Sequence, residues 1–199
     1  MKKLTLAVLC ALAGLTAQAA QVTSLPGGAV LTMPVSNYFG SGPQNLAPGV
    51  DWSSAYYYSV FGYDGGYGFS VNGYWSGMPM AGTNDTGSTM KLTFTQAVSG
   101  VGAFFNYARD YGPATIAVYD ANSNLIESTT LTFATNGGTN QGEFHGFLEN
   151  TPSISYLTMT GAYLGATNFT VVAVPEPETY GMLLAGLGLL GVAARRRKA

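Results

Sequence analysis

Charged side chains are scarce in this chain of 199 residues: they make up 9% of it, against about 25% in typical soluble domains. Between residues 20 and 173, eight acids accompany just two bases, Lys91 and Arg109, so this body has a formal charge of −6. Such a body offers no basic surface to phosphates, and we expect no nucleic-acid partner. The polar surface must come from Ser, Thr, Asn, Gln and Gly, which suits an exported β protein better than a cytosolic enzyme.

Cysteine and histidine are each present once. Cys10 falls in the middle of a predicted signal sequence, and Leu9 before it is not the small residue that a lipoprotein signal requires. The mature chain then has no cysteine, which excludes a disulfide, thiol catalysis and a cysteine-based metal site. His145 stands in a Phe-rich stretch without a G-x-S-x-G motif, which favours a packed or surface residue over a Ser-His-Asp triad.

No acidic residues are marked by their context for catalysis or metal binding. Glu143 and Glu149 are a pair that glycoside hydrolysis would require, but they are simply acids near a turn. Asp, Asn and Gly cluster at 64–66, 84–85 and 120–124, where calcium would find oxygen ligands. Because no D-x-[DN]-x-[DN]-G run is present, turn chemistry is the favoured interpretation. We therefore predict no enzymatic activity, no cofactor and no metal.

The first 19 residues predict export. Two lysines at positions 2 and 3 precede an apolar stretch over residues 4–15, and Ala17-Gln18-Ala19 has the A-x-A pattern of a cleavage site. Signal peptidase would then cut after Ala19, and the mature chain would start at Ala20. The alternative is a membrane span, for which about 12 apolar residues are too few.

The end of the chain carries a second apolar segment, at residues 180–194, which has no charge. As a helix, 15 residues cover about 22 Å, so spanning the ~30 Å hydrocarbon core would take help from flanking residues or a thinned bilayer. The cations that follow indicate a stop at the cytoplasmic face. They are Arg195, Arg196, Arg197 and Lys198. We predict a single transmembrane helix here.

Three features in order, Val174-Pro175-Glu176-Pro177, the apolar block and the basic end, resemble the PEP-CTERM sorting signal. This signal occurs on exported proteins of Gram-negative bacteria that make exopolysaccharide, and the same region also bears the name ice-binding protein C-terminal domain. The resemblance covers residues 174–199. It implies that a membrane protease-transpeptidase, exosortase, recognises Pro175, Glu176 and Pro177 and removes the helix. The protein would be anchored transiently and then reach the cell surface or the medium. A permanent tail anchor is the alternative.

The body, residues 20–173, shows period-2 alternation and no capped helical period. Met90, Leu92 and Phe94 alternate with polar residues, which predicts a half-buried strand. Strands are predicted at 29–33, 56–61, 67–71, 90–95, 101–107, 115–119, 125–133, 143–148, 154–160 and 168–174, with a loop at 77–88 and turns at 64–66 and 120–124. This pattern predicts an all-β protein with an antiparallel β-sandwich. Residues 94–172 also resemble the jelly-roll bodies that often precede this sorting tail.

Aromatic residues are densest between Asp51 and Trp75 and suggest a sugar site. Flat rings near glycine turns can stack on sugars, and a core role for these rings is the alternative. The candidates for binding are Trp52, Tyr63, Tyr67, Tyr74 and Trp75. Threonine pairs at 93/95, 130/132 and 158/160 suggest an ice-binding surface. Their irregular spacing favours the alternative that they are ordinary surface residues of strands.

We therefore expect a structural protein of the cell surface or of an exopolysaccharide or biofilm matrix. A carbohydrate-binding module is the alternative.

Overall fold

The computed structural model describes residues 19–172, which fold into two antiparallel sheets packed against each other. The all-β sandwich predicted from the sequence is confirmed. The predicted signal helix and the predicted transmembrane helix lie outside the described residues. Within the described part of the chain, no helix is long and apolar enough to cross a membrane.

The larger sheet has eight strands. Its strands are β1 (Ala20–Val22), β2 (Ala29–Val30), β3 (Tyr38–Phe39), β6 (Val60–Tyr63), β9 (Met80–Gly82), β11 (Gly100–Asn106), β14 (Glu143–Leu148) and β16 (Gly165–Val172). They run in the order β1-β14-β11-β16-β9-β6-β3, with β2 also paired to β16. The first and last strands of the body therefore share one sheet.

The smaller sheet has six strands. Its strands are β4 (Gln44–Ala47), β5 (Val50–Ser54), β10 (Thr89–Val98), β12 (Ala114–Tyr119), β13 (Leu125–Leu131) and β15 (Ile154–Thr160). They run in the order β13-β12-β15-β10-β5-β4. A separate hairpin joins β7 (Tyr67–Gly68) to β8 (Tyr74–Trp75). Short 3₁₀ turns lie at Ser70–Asn72 and Arg109–Tyr111.

The strands with the clearest alternation form as predicted. In β10, Met90, Leu92 and Phe94 are buried between the sheets, while Lys91 and Thr93 project from the outer face. The bounds of β14 and β15 match the predicted ones. A residue's neighbours two positions away share its face, so the sequence itself specifies which side of these strands is covered.

The strand predicted at 56–61 forms only over its last two residues, where β6 begins at Val60. Residues 56–59 turn between β5 and β6, and the Ser59 amide donates to the Tyr56 carbonyl at 3.2 Å. Tyr57 and Tyr58 are 63% and 51% exposed. Consecutive tyrosines have high strand propensity, but pairing of β5 with β4 and β10 outweighs it.

Other predicted bounds also need correction. The loop predicted at 77–88 contains β9, whose Gly82 and Ala81 pair with Gly165 and Ala166 of β16. The strand predicted at 67–71 ends at Gly68, and the one predicted at 29–33 ends at Val30. Between residues 21 and 50, where one edge strand was expected, the chain forms four short strands. These pairings join distant segments, so local periodicity does not reveal them.

A buried amide network ties the β7–β8 region to the sandwich. Asn106 Nδ2 donates to Asn140 Oδ1 at 2.7 Å and to the Asn72 carbonyl at 3.1 Å. Asn140 Nδ2 donates to the same carbonyl at 3.1 Å and to that of Gly138 at 3.0 Å. Asn72 and Asn106 are each 1% exposed. The network satisfies backbone groups that burial would otherwise leave without partners.

Candidate functional site

Both ends of the body lie at one end of the larger sheet. Ala20 pairs with Leu148, Leu148 with Gly100, and Gly100 with Val172. We call this row of four residues the terminal row. Adjacent strands are about 4.8 Å apart, so Ala20 and Val172 are separated by three strand spacings, or about 14 Å. The chain thus enters and leaves the body on the same side.

Close packing holds the terminal row in register. A Cβ at Gly100 would lie 3.1 Å from side-chain atoms of Leu148, Leu25 and Val172. The Ser99 amide and hydroxyl both donate to the Val172 carbonyl, at 3.0 and 3.2 Å. The Ser99 carbonyl in turn accepts from the Glu149 amide at 2.6 Å. These contacts hold the last residue of β16, Val172, against its neighbouring strands.

Of the residues predicted for sorting and processing, only Ala19 and Ala20 belong to the part of the chain that the structure describes. Those outside it are Ala17, Pro175, Glu176, Pro177, Arg195, Arg196, Arg197 and Lys198. Ala19 is 4% exposed and Ala20 begins β1. Val172, the last described residue, precedes Pro175 by three positions. The terminal row therefore adjoins both predicted processing sites.

Glu149 is a buried acid directly beside the terminal row. It is 5% exposed, and its Oε1 atom has no hydrogen-bond partner. Burial raises the pKa of this carboxyl because it penalises the charged form, and repulsion from Glu127 raises the pKa further. From the sequence, Glu149 was a candidate only as a partner of Glu143, because nothing local marks it as buried.

Glu143 and Glu149 do not form a catalytic pair. They are six positions apart along one strand direction, which corresponds to about 20 Å. Paired carboxyl groups in glycosidases are about 5–9.5 Å apart. The Glu143 side chain is 51% exposed, and its Oε2 atom lies 3.5 Å from Nε2 of His145. The His145 ring stacks on Phe133, with centroids 5.5 Å apart.

Two of the five proposed sugar-binding aromatic residues lie in the interior. Trp52 is 0% exposed and belongs to the main core, and Trp75 is 9% exposed in a smaller cluster beneath the β7–β8 hairpin. Tyr63 and Tyr67 are half-buried against that cluster, so they also pack. Tyr74 alone among the five is an exposed residue, at 49%. The segment therefore does not present these rings together on the surface.

A different aromatic pair lies on the outer face of the smaller sheet. Tyr119 and Tyr156 are cross-strand partners with stacked rings, 4.8 Å between centroids and 13° between planes. Lys91 Nζ lies 3.8 Å from the centroid of Tyr156. Leu125, opposite Tyr119 in the ladder, is 55% exposed. This pair is not predictable from the sequence, because its members are 37 positions apart and each looks like an ordinary strand residue.

Threonines also line up on this face, although not in the pairs that the sequence suggested. Thr130, Thr115, Thr160 and Thr89 form one cross-strand row. The hydroxyls of Thr89 and Thr160 are 2.8 Å apart and bond to each other. The face thus presents a row of hydroxyl groups four residues along the strands, or about 13 Å, from the Tyr119 and Tyr156 rings.

The acidic loops show turn chemistry. Asp120 Oδ1 accepts from the amides of Asn122 and Asn124, at 2.9 and 2.8 Å. These bonds, with one from the Asn124 side chain, lower the pKa of Asp120 because they stabilise its charged form. Asp85 accepts from the Ser88 amide in the same way, at 2.9 Å. Among residues 19–172, no group of three or more His, Cys, Asp or Glu side chains is placed to hold a metal ion.

The C-terminal end of the chain matches a known protein family. Residues 173–198 match the PEP-CTERM protein-sorting motif, which confirms the resemblance described above. No curated protein matches the chain. Two solved structures from Streptococcus pneumoniae resemble about half of it. The fucose binding module SpX-3 has 8% identity and a TM-score of 0.34, covering 48% of this chain and 73% of its own. A second fucose binding module has 14% identity and a TM-score of 0.32, covering 48% and 70%.

Proposed function

We propose that this chain, which carries a PEP-CTERM protein-sorting motif, is an exported substrate of an exosortase in a Gram-negative bacterium. The single observation that carries the proposal is the motif at residues 173–198. Signal peptidase removes the first 19 residues, and the exosortase acts at Pro175, Glu176 and Pro177. The body then leaves the inner membrane for the cell surface or the medium.

The terminal row supports this order of events. Before processing, the predicted signal sequence and the segment that leads to the sorting motif are attached to the body within about 14 Å of each other, at the same end of the larger sheet. Pro175 is three positions beyond Val172, so the motif lies within about 11 Å of the body. One end of the sandwich thus faces the membrane, and the chain crosses no part of the body to reach either enzyme.

The motif itself is suited to recognition by a protease. Pro175 and Pro177 have no amide hydrogen and a fixed φ, which disfavours helix and favours an extended backbone around Glu176. An extended segment offers its side chains and carbonyls to an enzyme groove. The apolar segment holds the substrate in the membrane, and the basic residues 195–198 stop it at the cytoplasmic face.

The test is a substitution in the motif with a neighbour as control. Glu176→Ala should accumulate as an uncut form in the membrane fraction, because the charged centre of the motif is lost. Glu178→Ala makes the same change two positions on and should be processed like the wild type. The readouts are the mass of the product and its location. If Glu176→Ala and the wild type have the same mass and location, the tail is a permanent anchor.

For the body we propose a structural, non-enzymatic role in an exopolysaccharide or biofilm matrix, on a sandwich of jelly-roll type. Its supports are the sorting motif and an outer face that is rich in hydroxyl groups and poor in charge. Such a face exchanges hydrogen bonds with hydrated polysaccharide without requiring a specific counter-charge.

A carbohydrate-binding module is the second candidate, and one observation favours it. The rings of Tyr119 and Tyr156 stand on the outer face that also carries the threonine row. Tyr156 is contacted by both Lys91 and Tyr119, so Tyr119 is the ring of the pair that we expect a sugar to contact. With a body charge of −6, a neutral glycan is the ligand that electrostatics favours.

A further inference from the structure

The carboxyl group of Glu149 is buried in a place where the described chain gives it no counter-charge. Its Oε1 atom has no hydrogen-bond partner, and the charge of Glu127 repels it. The cationic side chains of residues 19–172 are engaged or placed elsewhere. Lys91 lies over Tyr156 on the outer face, and His145 contacts Glu143. Arg109 lies in the 3₁₀ turn Arg109–Tyr111, where its charge acts on Tyr107. A buried carboxylate without a counter-ion is costly, so the missing partner calls for explanation.

The sheet register shows what lies opposite this carboxyl. Ala20 pairs with Leu148, so the next step of the same antiparallel ladder sets Ala19 opposite Glu149. Directly opposed residues project to the same face with Cβ atoms about 4.5–5.5 Å apart. That face is the interior, because Phe147, two positions before Glu149, is 0% exposed and Ala19 is 4% exposed. The predicted cleavage site therefore lies across from the unpaired carboxyl.

We propose that removal of the signal sequence creates the counter-ion of Glu149, namely the α-ammonium group of Ala20. The inference rests on the export proposed above. Hydrolysis of the Ala19–Ala20 peptide bond adds the hydroxyl of water to the Ala19 carbonyl carbon. The nitrogen of Ala20 takes the remaining proton and a second one from solvent. The departing Ala19 vacates space beside the carboxyl, and the new ammonium group occupies that space.

The pairing makes signal removal a step that completes the fold. Before cleavage, no described residue gives the buried Oε1 atom of Glu149 a hydrogen-bond partner. After cleavage, one positive charge at the start of β1 faces Glu149 at the end of β14 and Glu127 on β13. The ammonium lowers the pKa of the carboxyl, and the carboxylate raises the pKa of the α-amine. The stabilisation is present between these two pKa values. It is lost as pH falls through the first or rises through the second.

The experiment uses the exported chain purified from its host, with its N-terminus identified by sequencing. The pKa of the Ala20 α-amine is measured by NMR in the wild type, in Glu149→Gln and in Glu143→Gln. In the wild type the pKa should be at least about one unit above the usual value of about 7.7–8.0, a tenfold shift in the protonation equilibrium. Glu149→Gln should return the pKa to the usual range. Glu143→Gln, the same change on the same strand at an exposed position, should leave it raised.

Three results would overturn the proposal, and they separate it from the proposed function. An N-terminus other than Ala20 overturns the cleavage position and the pairing with it. An N-terminus at Ala20 with an unshifted α-amine overturns the pairing and leaves export intact. A raised pKa that persists in Glu149→Gln assigns the shift to another acid. If Glu149→Gln fails to fold, the pairing is tested by measuring the free energy of unfolding of the wild type as a function of pH. This free energy should fall as pH rises through the measured pKa of the α-amine. A free energy that does not change there contradicts the pairing.

Discussion

The indole of Trp52 packs against the ring of Phe61, with centroids 5.3 Å apart and 31° between the planes. Trp52 belongs to β5 in the smaller sheet and Phe61 to β6 in the larger one, so this contact joins the two sheets. Both residues are at most 1% exposed. At this point the aromatic segment therefore contributes to the hydrophobic core, although the sequence had suggested a sugar-binding surface.

The first prediction concerns this contact. Trp52→Ala should lower the free energy of unfolding by about 3–5 kcal/mol, because it removes a large side chain from a site that cannot collapse around the gap. Tyr58→Ala removes an exposed ring from the neighbouring turn and should change it by less than about 0.5 kcal/mol. Urea unfolding followed by circular dichroism measures both. Equal stability of the two variants would contradict the interior role of Trp52.

The second prediction concerns the buried amide network. Asn140→Ala should lower the free energy of unfolding by about 1–3 kcal/mol, because the Asn106 side-chain amide loses one of its two acceptors and the Gly138 carbonyl loses a donor. Asn84→Ala makes the same change in an exposed loop and should stay within about 0.5 kcal/mol of the wild type. Thermal and urea unfolding report the difference. The network has no energetic role if both variants match the wild type.

The third prediction concerns alkaline pH. The Tyr67 hydroxyl donates to the Thr83 carbonyl, and burial is the main cause that raises the pKa of Tyr67 above its usual value. Above pH ~10 the unfolded chain loses this proton while the folded chain keeps it, so the unfolded state binds fewer protons and stability falls as pH rises. The slope approaches about 1.4 kcal/mol per pH unit for one such group.

Two phenylalanine variants isolate this effect. Tyr67→Phe should show a shallower decline between pH 10 and 11.5, and Tyr74→Phe, at an exposed position, should decline like the wild type. Burial also raises the pKa of Tyr107, and that contribution remains in all three proteins. Urea unfolding across the pH series gives the slopes. Parallel curves for Tyr67→Phe and the wild type would disprove the assignment to Tyr67.

The fourth prediction separates the two roles proposed for the body. If the outer face binds neutral glycan, Tyr119→Ala should weaken retardation in a gel containing the host polysaccharide by up to about tenfold, the loss of about 1.4 kcal/mol from one stacked ring. Tyr74→Ala, also at a surface ring, should migrate like the wild type. If Tyr74→Ala alone weakens binding, the site lies in the segment that the sequence suggested. The structural role stands if the wild type itself is not retarded.

The sequence by itself determined the C-terminal sorting motif and the alternating strands. The sorting motif is a short local signal whose spacing is read without the fold, and the family match confirms it. Strands such as β10 and β14 are predictable for a related reason: side chains alternate every residue, so a polar and apolar alternation specifies both the strand and its buried face.

Only the tertiary structure decided where the aromatics, the acids and the chain ends lie. Trp52 is interior because β5 pairs with β10, the Tyr119 and Tyr156 rings meet because β12 pairs with β15, and Glu149 lies beside the start of the body because β1 pairs with β14. Each depends on pairing between segments far apart in the chain. Propensity and periodicity are local, so they specify a strand's faces but not its neighbours, and the neighbours determine which face meets solvent.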